Sequence, residues 1–446
     1  MKVLLVYPRF KYENSGGLQE PLGILYIASV LRKSGHDVSF IDLTFEKDFS
    51  KLNKETLDVD LIGMSSTTAL FGTAKEVLKH MKSINPELKV AIGGPHPTVM
   101  TDDVLDAGFD YSVIGEGEKI ILELLNGIKK GKISDVKGIA YRIRNKTKIN
   151  KSCEFIENLD SIPFPARDMI NWDEYNISDM GLIITRGCPY NCLYCKPMQN
   201  KLFGKKIRKR SSENVADEIE EIAKIYGVKS FFFKDDTFSA CGEEWIKIFG
   251  NEIEKRNLKI SWTCQTRVNE VTEGFLKAMK DAGCRLISFG VESGSQKILN
   301  FYRKGITTEQ TKEAFKLCKK VGILTHAYIM LGAPIETEED MEMTYQLIKE
   351  IKPYSVQVSI TTPAPGTDLG EYVKNQGILN IHNNLETDYY ANEYPIKLQY
   401  LTPEKLKIYR KKIYRYMLFK NAFSKRGIIT AIRNPGKAFR YMKKRL

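Results

Sequence analysis

The chain has 446 residues, 42% of them hydrophobic and 28% charged, an ordinary globular composition with room for two or three domains that each bury a core. No apolar run is long enough to cross a bilayer, no cleavage pattern follows the opening residues, and the eight cysteines lack a secretory context, so the expectation is a cytoplasmic chain with reduced thiols. The formal net charge of +13 is unevenly placed: fifteen of the 68 Lys and Arg residues follow Glu404, where no Asp or Glu occurs, and the rest of the chain holds 53 basic against 55 acidic residues.

Short apolar runs at 3–7, 38–42, 61–65, 90–93 and 111–114 alternate with helical periodicity at 22–33, 69–84, 98–107 and 118–129. Strands alternating with helices predict a parallel doubly wound sheet, flavodoxin-like or Rossmann-like, over residues 1–137. Ligands of such sheets bind at the carboxyl ends of the strands. A basic hairpin (138–151) and a linker with two prolines, Pro163 and Pro165, fill 138–175. A second alternating series then runs over 176–371, with strands at 182–185, 230–234, 260–264, 286–291, 326–331 and 355–361 and a helix between each pair. Six such units predict a partial (β/α)6 barrel, whose active residues lie at the carboxyl ends of its strands. The alternation stops in 372–446, read as a loop region followed by basic helices.

The first barrel strand delivers Thr185-Arg-Gly-Cys-Pro-Tyr-Asn-Cys-Leu-Tyr-Cys195. Three closely spaced sulfurs hold three irons of a cubane [4Fe–4S] cluster and leave the fourth iron open to a substrate or cofactor. A structural zinc site wants four ligands, and neither Cys153, Cys241 nor any histidine lies close enough in sequence to complete one. The metal ligands are therefore expected to be Cys188, Cys192 and Cys195. Cys241, Cys264, Cys284 and Cys318 read as small buried apolar residues. The later strands end in Lys234-Asp-Asp-Thr-Phe238, Cys264-Gln-Thr-Arg267, Gly290-Val-Glu-Ser-Gly294 and Leu331-Gly-Ala-Pro-Ile-Glu336. Taken singly these polar residues read equally well as helix caps or solvated loop charges; their joint placement at one barrel mouth is what points to a site.

The spacing CxxxCxxC, with aromatic Tyr194 before the last cysteine, resembles the radical S-adenosylmethionine (SAM) enzymes. That resemblance implies a cluster whose open iron is chelated by the amine and carboxylate of SAM. Asp235 or Asp236 would accept from the amine, Glu292 would take the ribose hydroxyls, Arg267 would face the carboxylate, and adenine would lie near Tyr194 and the turn at Gly332. A doubly wound domain ahead of such a barrel resembles the cobalamin-binding branch, matching at Pro21-Leu-Gly-Ile-Leu, Ser34-Gly-His-Asp-Val, Gly63-Met-Ser-Ser-Thr67, Gly93-Gly-Pro-His-Pro97 and Gly115-Glu-Gly-Glu118. By that resemblance Ser65, Ser66 and Thr67 would bond the nucleotide tail, Gly93 and Gly94 would permit close approach, and Glu116 and Gly117 would line the same edge. The Asp-x-His-x-x-Gly motif that supplies a lower cobalt ligand elsewhere is missing: the chain reads Tyr7-Pro-Arg-Phe-Lys-Tyr12, and His36 and His96 read as loop residues.

The resemblance implies a radical enzyme that cleaves SAM to a 5′-deoxyadenosyl radical and activates an unreactive C–H bond, with cobalamin-dependent methylation as the outcome. Rearrangement, cyclisation or carbon–carbon coupling is the alternative, and a non-catalytic iron–sulfur or zinc module that binds nucleic acid is the second. An external electron donor of flavodoxin or ferredoxin type is implied. In the tail, Leu406, Tyr409, Ile413, Met417 and Phe423 recur near helical spacing opposite Lys407, Arg410, Lys411, Arg415 and Lys420. Two readings stand for 405–446: a helical cap on the barrel with a solvated charged face, or peripheral contact with an anionic membrane, which would suggest a lipid or lipid-linked substrate rather than another small molecule. Nucleic acid would attract the same charge, but no recognition fold accompanies it.

Overall fold

The computed structural model describes residues 1–9, 20–175, 178–196, 198–380 and 394–422. Strand β1 (Lys2–Tyr7) buries Val3, Leu4, Leu5 and Val6 together, the unbroken apolar run of a strand covered on both faces. Successive side chains point to opposite faces, and two cores result. Val3 and Leu5 pack with Ile24, Ala28 and Leu31 of helix Leu22–Lys33 and with Ile120 and Leu124 of helix Gly117–Lys130. Leu4 and Val6 pack with Phe71 and Val77 of helix Thr68–Ile84. With β2 (Asp37–Asp42), β3 (Leu61–Ser65), β4 (Val90–Gly93) and β5 (Tyr111–Val113) the parallel order is β2-β1-β3-β4-β5. This is the flavodoxin-like order, and its switch point lies between β1 and β3. The basic hairpin is not free-standing: β6 (Ile139–Ile143) pairs antiparallel with β5, and β7 (Lys146–Ile149) with β6. The helix expected over 98–107 is two short ones, Pro95–Val99 and Thr101–Asp106.

The second sheet is the six-stranded partial barrel: β8 (Met180–Leu182), β11 (Ser230–Phe233), β12 (Ser261–Thr266), β13 (Cys284–Glu292), β14 (Leu324–Leu331) and β15 (Ser355–Ile360), parallel and side by side in chain order. The first barrel strand is shorter than the sequence pattern suggests. The chain leaves the sheet after Leu182 because Asp235 accepts the N–H groups of Ile184 and Thr185, the former at 2.9 Å. Residues Thr185–Arg186 form β9 instead, paired antiparallel with β10 (Arg208–Lys209). Helix Pro403–Ala422 closes the barrel wall, with Leu406, Tyr409, Ile413 and Met417 inside the barrel core. The apolar stripe read in the tail is thus covered by the barrel over 403–422; Phe423 and the basic stretch to 446 lie outside the described residues.

Candidate functional site

The three cysteines lie in the loop between β9 and helix Met198–Phe203. Gly187 has φ 95°, and a Cβ there would collide with the Lys206 carbonyl, so only glycine lets this loop fold back. Backbone bonds pin it: Leu193 N–H donates to the Tyr302 carbonyl at 2.8 Å and Leu369 N–H to the Leu193 carbonyl at 2.9 Å. Cys192 is buried, while Cys188 and Cys195 are half-buried. Burial and the neighbouring Cys192 push the Cys195 thiol up to about 12, so a thiolate there needs a metal to displace its proton. Among the described residues no three His, Cys, Asp or Glu side chains converge on one metal-ion position. A cubane gives each thiolate its own iron, and this donor set fits it better than a single-ion site.

Two cations stand against the loop. Lys196 Nζ donates to the Cys188 carbonyl at 3.0 Å and to Asn200 Oδ1 at 2.5 Å. Arg267 Nη1 lies 3.6 Å from Cys192 Sγ, and its guanidinium sits over the Tyr190 ring. Asp236, read with Asp235 as an acceptor for the SAM amine, is exposed beside the loop and accepts from Gln199. Asp235 is turned away: its Oδ1 holds the backbone of Ile184 and Thr185 and the Thr185 hydroxyl (2.8 Å), its Oδ2 is buried without a partner, and burial raises its carboxyl to about 6.

Across the mouth, Tyr194 and Glu292 come together. The Tyr194 hydroxyl donates to Glu292 Oε1 at 2.9 Å, and Lys304 Nζ reaches both, at 3.0 and 2.7 Å. Glu292 ends β13 with φ 62° beside a register shift, and all but 6% of it is buried. Burial and the adjacent carboxylate raise the Tyr194 hydroxyl well above its ordinary value, so it remains a donor. Tyr194 also packs with Tyr302 and Ala333, which brings the Gly332 turn to the same side. Glu336 caps that turn by accepting the N–H groups of Gly332 and Ala333. Sequence reasoning missed Lys304, Lys196 and Glu336. Glu336 stood at a strand end and could have been singled out, whereas nothing local marks Lys304.

On the amino-terminal domain, Ser66 Oγ donates to the Thr67 carbonyl at 2.8 Å, and Ser66 N–H to the Gly93 carbonyl at 2.9 Å. Gly94 has φ 106°, and a Cβ there would stand 2.8 Å from the Ser66 carbonyl oxygen; the β3 and β4 loops approach that closely. Ser65, Thr67 and Gly93 therefore share one edge with Gly94 at the ends of β3 and β4. His96 is buried, stacked on Phe71, and bonded through Nδ1 to Thr68 Oγ1 at 3.2 Å, while its Nε2 has no partner. Glu116 lies elsewhere: it accepts from Arg186 at 3.1 Å and Arg208 at 2.8 Å, and Glu118 takes the other arm of Arg186 at 2.5 Å. A Cβ on Gly117 would stand 3.0 Å from Ile27. Helix Pro95–Val99 packs on helix Met198–Phe203, so the Gly93–Gly94 edge and the cysteine loop adjoin. Glycine backbone at this shared edge allows close approach of a flat ligand such as a corrin.

The Radical SAM superfamily model matches residues 182–348 and the B12 binding domain model residues 12–125. The chain is 35% identical to an uncharacterized methyltransferase of Pyrococcus horikoshii over 96% of both chains. It is 31% identical to an anaerobic magnesium-protoporphyrin IX monomethyl ester cyclase of Rubrivivax gelatinosus, covering 83% of this chain and 69% of that one. Its fold matches the cobalamin-dependent SAM radical enzyme OxsB with a TM-score of 0.77 at 19% identity, over 99% of this chain and 70% of that one. The chain belongs to the radical SAM enzymes with an amino-terminal B12-binding domain, and its cofactors are a [4Fe–4S] cluster, SAM and cobalamin.

Proposed function

We propose that the chain is a cobalamin-dependent methyltransferase acting at an unactivated C–H bond of a lipid or lipid-linked substrate. One observation supports the methyl-transfer reading: the helix after Gly94 packs on the helix after the cysteines, which would set a corrin on the Gly94 edge beside the cluster loop. When bound, the cluster and SAM supply hydrogen abstraction and cobalamin supplies a methyl carrier. Cys188, Cys192 and Cys195 would each hold one iron. Glu292, bonded by Lys304 and Tyr194, would accept from the ribose hydroxyls. Asp236 would accept from the SAM amine, and the Gly332 turn with Tyr194 would shelve the adenine. Ser65, Ser66 and Thr67 would bond the corrin tail above Gly93 and Gly94. Covering the mouth from the sheet side, the amino-terminal domain would exclude water from the reacting carbon.

Support for a lipid comes from helix Pro403–Ala422. Its inner stripe faces the barrel, yet Ile408 (61% exposed) and Phe419 (66%) stand outward beside Lys411 and Arg415, a cationic and apolar face suited to anionic lipid. The test is anaerobic: protein reconstituted with iron, sulfide and cobalamin is given SAM labelled in its methyl group, a low-potential donor of ferredoxin or flavodoxin type, and a lipid extract. Label in a lipid product is expected. The named activity of the Rubrivivax relative favours cyclisation as a second reading. A ring-closed product without label, formed with 5′-deoxyadenosine release, would replace methylation by that chemistry.

A further inference from the structure

We propose that Arg267 acts on the cluster, not on SAM: its bond to the Cys192 sulfur sets the reduction potential of the iron–sulfur centre. The guanidinium leaves the end of β12 and is held on every side. Its face lies over the Tyr190 ring, 3.6 Å from the centroid. Its Nη2 donates to the Lys304 carbonyl and its Nε to Asn269 Oδ1 at 3.3 Å. Those contacts fix the plane and leave Nη1 aimed at Cys192 Sγ, at 3.6 Å. The side chain is 5% exposed. Among the described residues no carboxylate lies within ion-pair distance of it. Nearby Glu270 accepts from Tyr190 and Ser239, and Glu292 is paired with Lys304. A positive charge that is ion-paired to no carboxylate among the described residues therefore points at one cluster sulfur.

The consequence follows from charge. Reducing the cluster adds one electron to the iron–sulfide–thiolate unit, and an N–H donor on a thiolate sulfur stabilises the more negative state. Arg267 therefore raises the potential and eases entry of the electron. Lys196, whose Nζ bonds the Cys188 carbonyl, adds charge of the same sign from the other end of the loop. The inference rests on the cluster assignment made above. It conflicts with the family-derived expectation that Arg267 holds the SAM carboxylate, and the two differ in what they perturb.

The experiment uses the full chain, anaerobically reconstituted and free of SAM, as wild type, Arg267→Lys and Arg267→Gln. Iron per chain is measured first, then the midpoint potential by redox titration followed by electron paramagnetic resonance, then SAM affinity. With iron retained, R267Q should lower the reduced-to-oxidised ratio at fixed poise about tenfold, equivalent to about 59 mV for a one-electron couple. R267K should shift less, and SAM affinity should stay near wild type. An unchanged midpoint with weakened SAM binding would overturn the inference and restore the carboxylate role. If R267Q loses iron, wild-type protein labelled with 15N-arginine decides: a weak nitrogen coupling to the reduced cluster is expected, and its absence overturns the bond. Wild-type protein that takes up no iron at all would overturn the cluster assignment as well.

Discussion

Glu292 sits in the left-handed region at φ 62°, a conformation costing on the order of 1–3 kcal/mol for a residue with a Cβ. Something must hold it there, and Lys304 does so with a charged bond of 2.7 Å inside the protein. Removing one partner of a buried pair costs about 3–5 kcal/mol, because the other charge stays desolvated. Lys304→Met should therefore lower the denaturant midpoint and weaken SAM binding at least tenfold, measured by equilibrium binding; wild-type affinity in that variant would remove Lys304 from the site. Glu336 gives a second prediction. Burial raises its carboxyl to about 8, against a usual 4.5. Between those values the folded state binds a proton that the unfolded state has lost, so stability falls as pH rises from about 5 to 8 and levels off above. Glu336→Gln mimics the protonated form and should flatten that fall, by on the order of a few kcal/mol across the window. Parallel unfolding curves for the two proteins from pH 5 to 9 would refute it.

At the scale of elements, helix Pro403–Ala422 shows what periodicity can and cannot tell. The spacing of Leu406, Tyr409, Ile413 and Met417 marks one apolar face in the sequence, but it does not say what covers that face. The structure answers with the barrel core. Ile413→Ala should then cost about 2–5 kcal/mol, as a cavity in a packed core does. The double variant Ile408→Ser with Phe419→Ser should change stability by less than about 0.5 kcal/mol, since both side chains stand outside. Co-sedimentation with anionic vesicles should reverse the ranking, with the double variant losing binding and Ile413→Ala keeping it. Equal binding by all three proteins would remove lipid contact from this face. The same logic explains the strands. Runs such as Val3–Val6 declare themselves because a parallel strand is apolar on both faces. The shortening of the first barrel strand was not legible, because Asp235, far along the chain, captures the N–H groups that would have continued the ladder. In the candidate site, the clustering of the cysteines and the position of Glu292 at a strand end were legible in the sequence. Lys304 was not, since its role exists only once the turn after helix Gln296–Phe301 returns it to β13.

Across the whole molecule, the amino-terminal domain is joined to the barrel and its β9–β10 pair by buried charge. Glu116 and Glu118 of the amino-terminal domain clasp Arg186, two residues before Cys188, and Glu116 also takes Arg208. From the same domain Glu20 reaches Lys234 at the end of β11, at 3.0 Å. These partners are remote in sequence, which is why Glu116 reads as a ligand contact from its motif and as an interdomain tie from its surroundings. Burial alone would raise the Glu118 carboxyl, but Arg186 outweighs it and holds it below its ordinary value. That lowered value makes the joint acid-sensitive: its stabilisation is present above the unfolded carboxylate range and is lost as pH falls through the folded value. Arg186→Met would strand the buried Glu118 carboxylate, while Glu116 keeps Arg208, and cost about 3–5 kcal/mol at neutral pH. Because the loss falls on the contact between sheets and not on either core, it should separate the domains before it unfolds them. The expected result is a single calorimetric transition in wild type and two in R186M, with early protease cleavage in the linker around Pro163. Cysteine ligation to iron should survive while cobalamin is held less tightly, because the Gly94 edge would no longer be pressed onto the helix behind the cluster loop. One shared transition in both proteins, with cobalamin affinity unchanged, would mean that apolar packing and not this network holds the two halves in register.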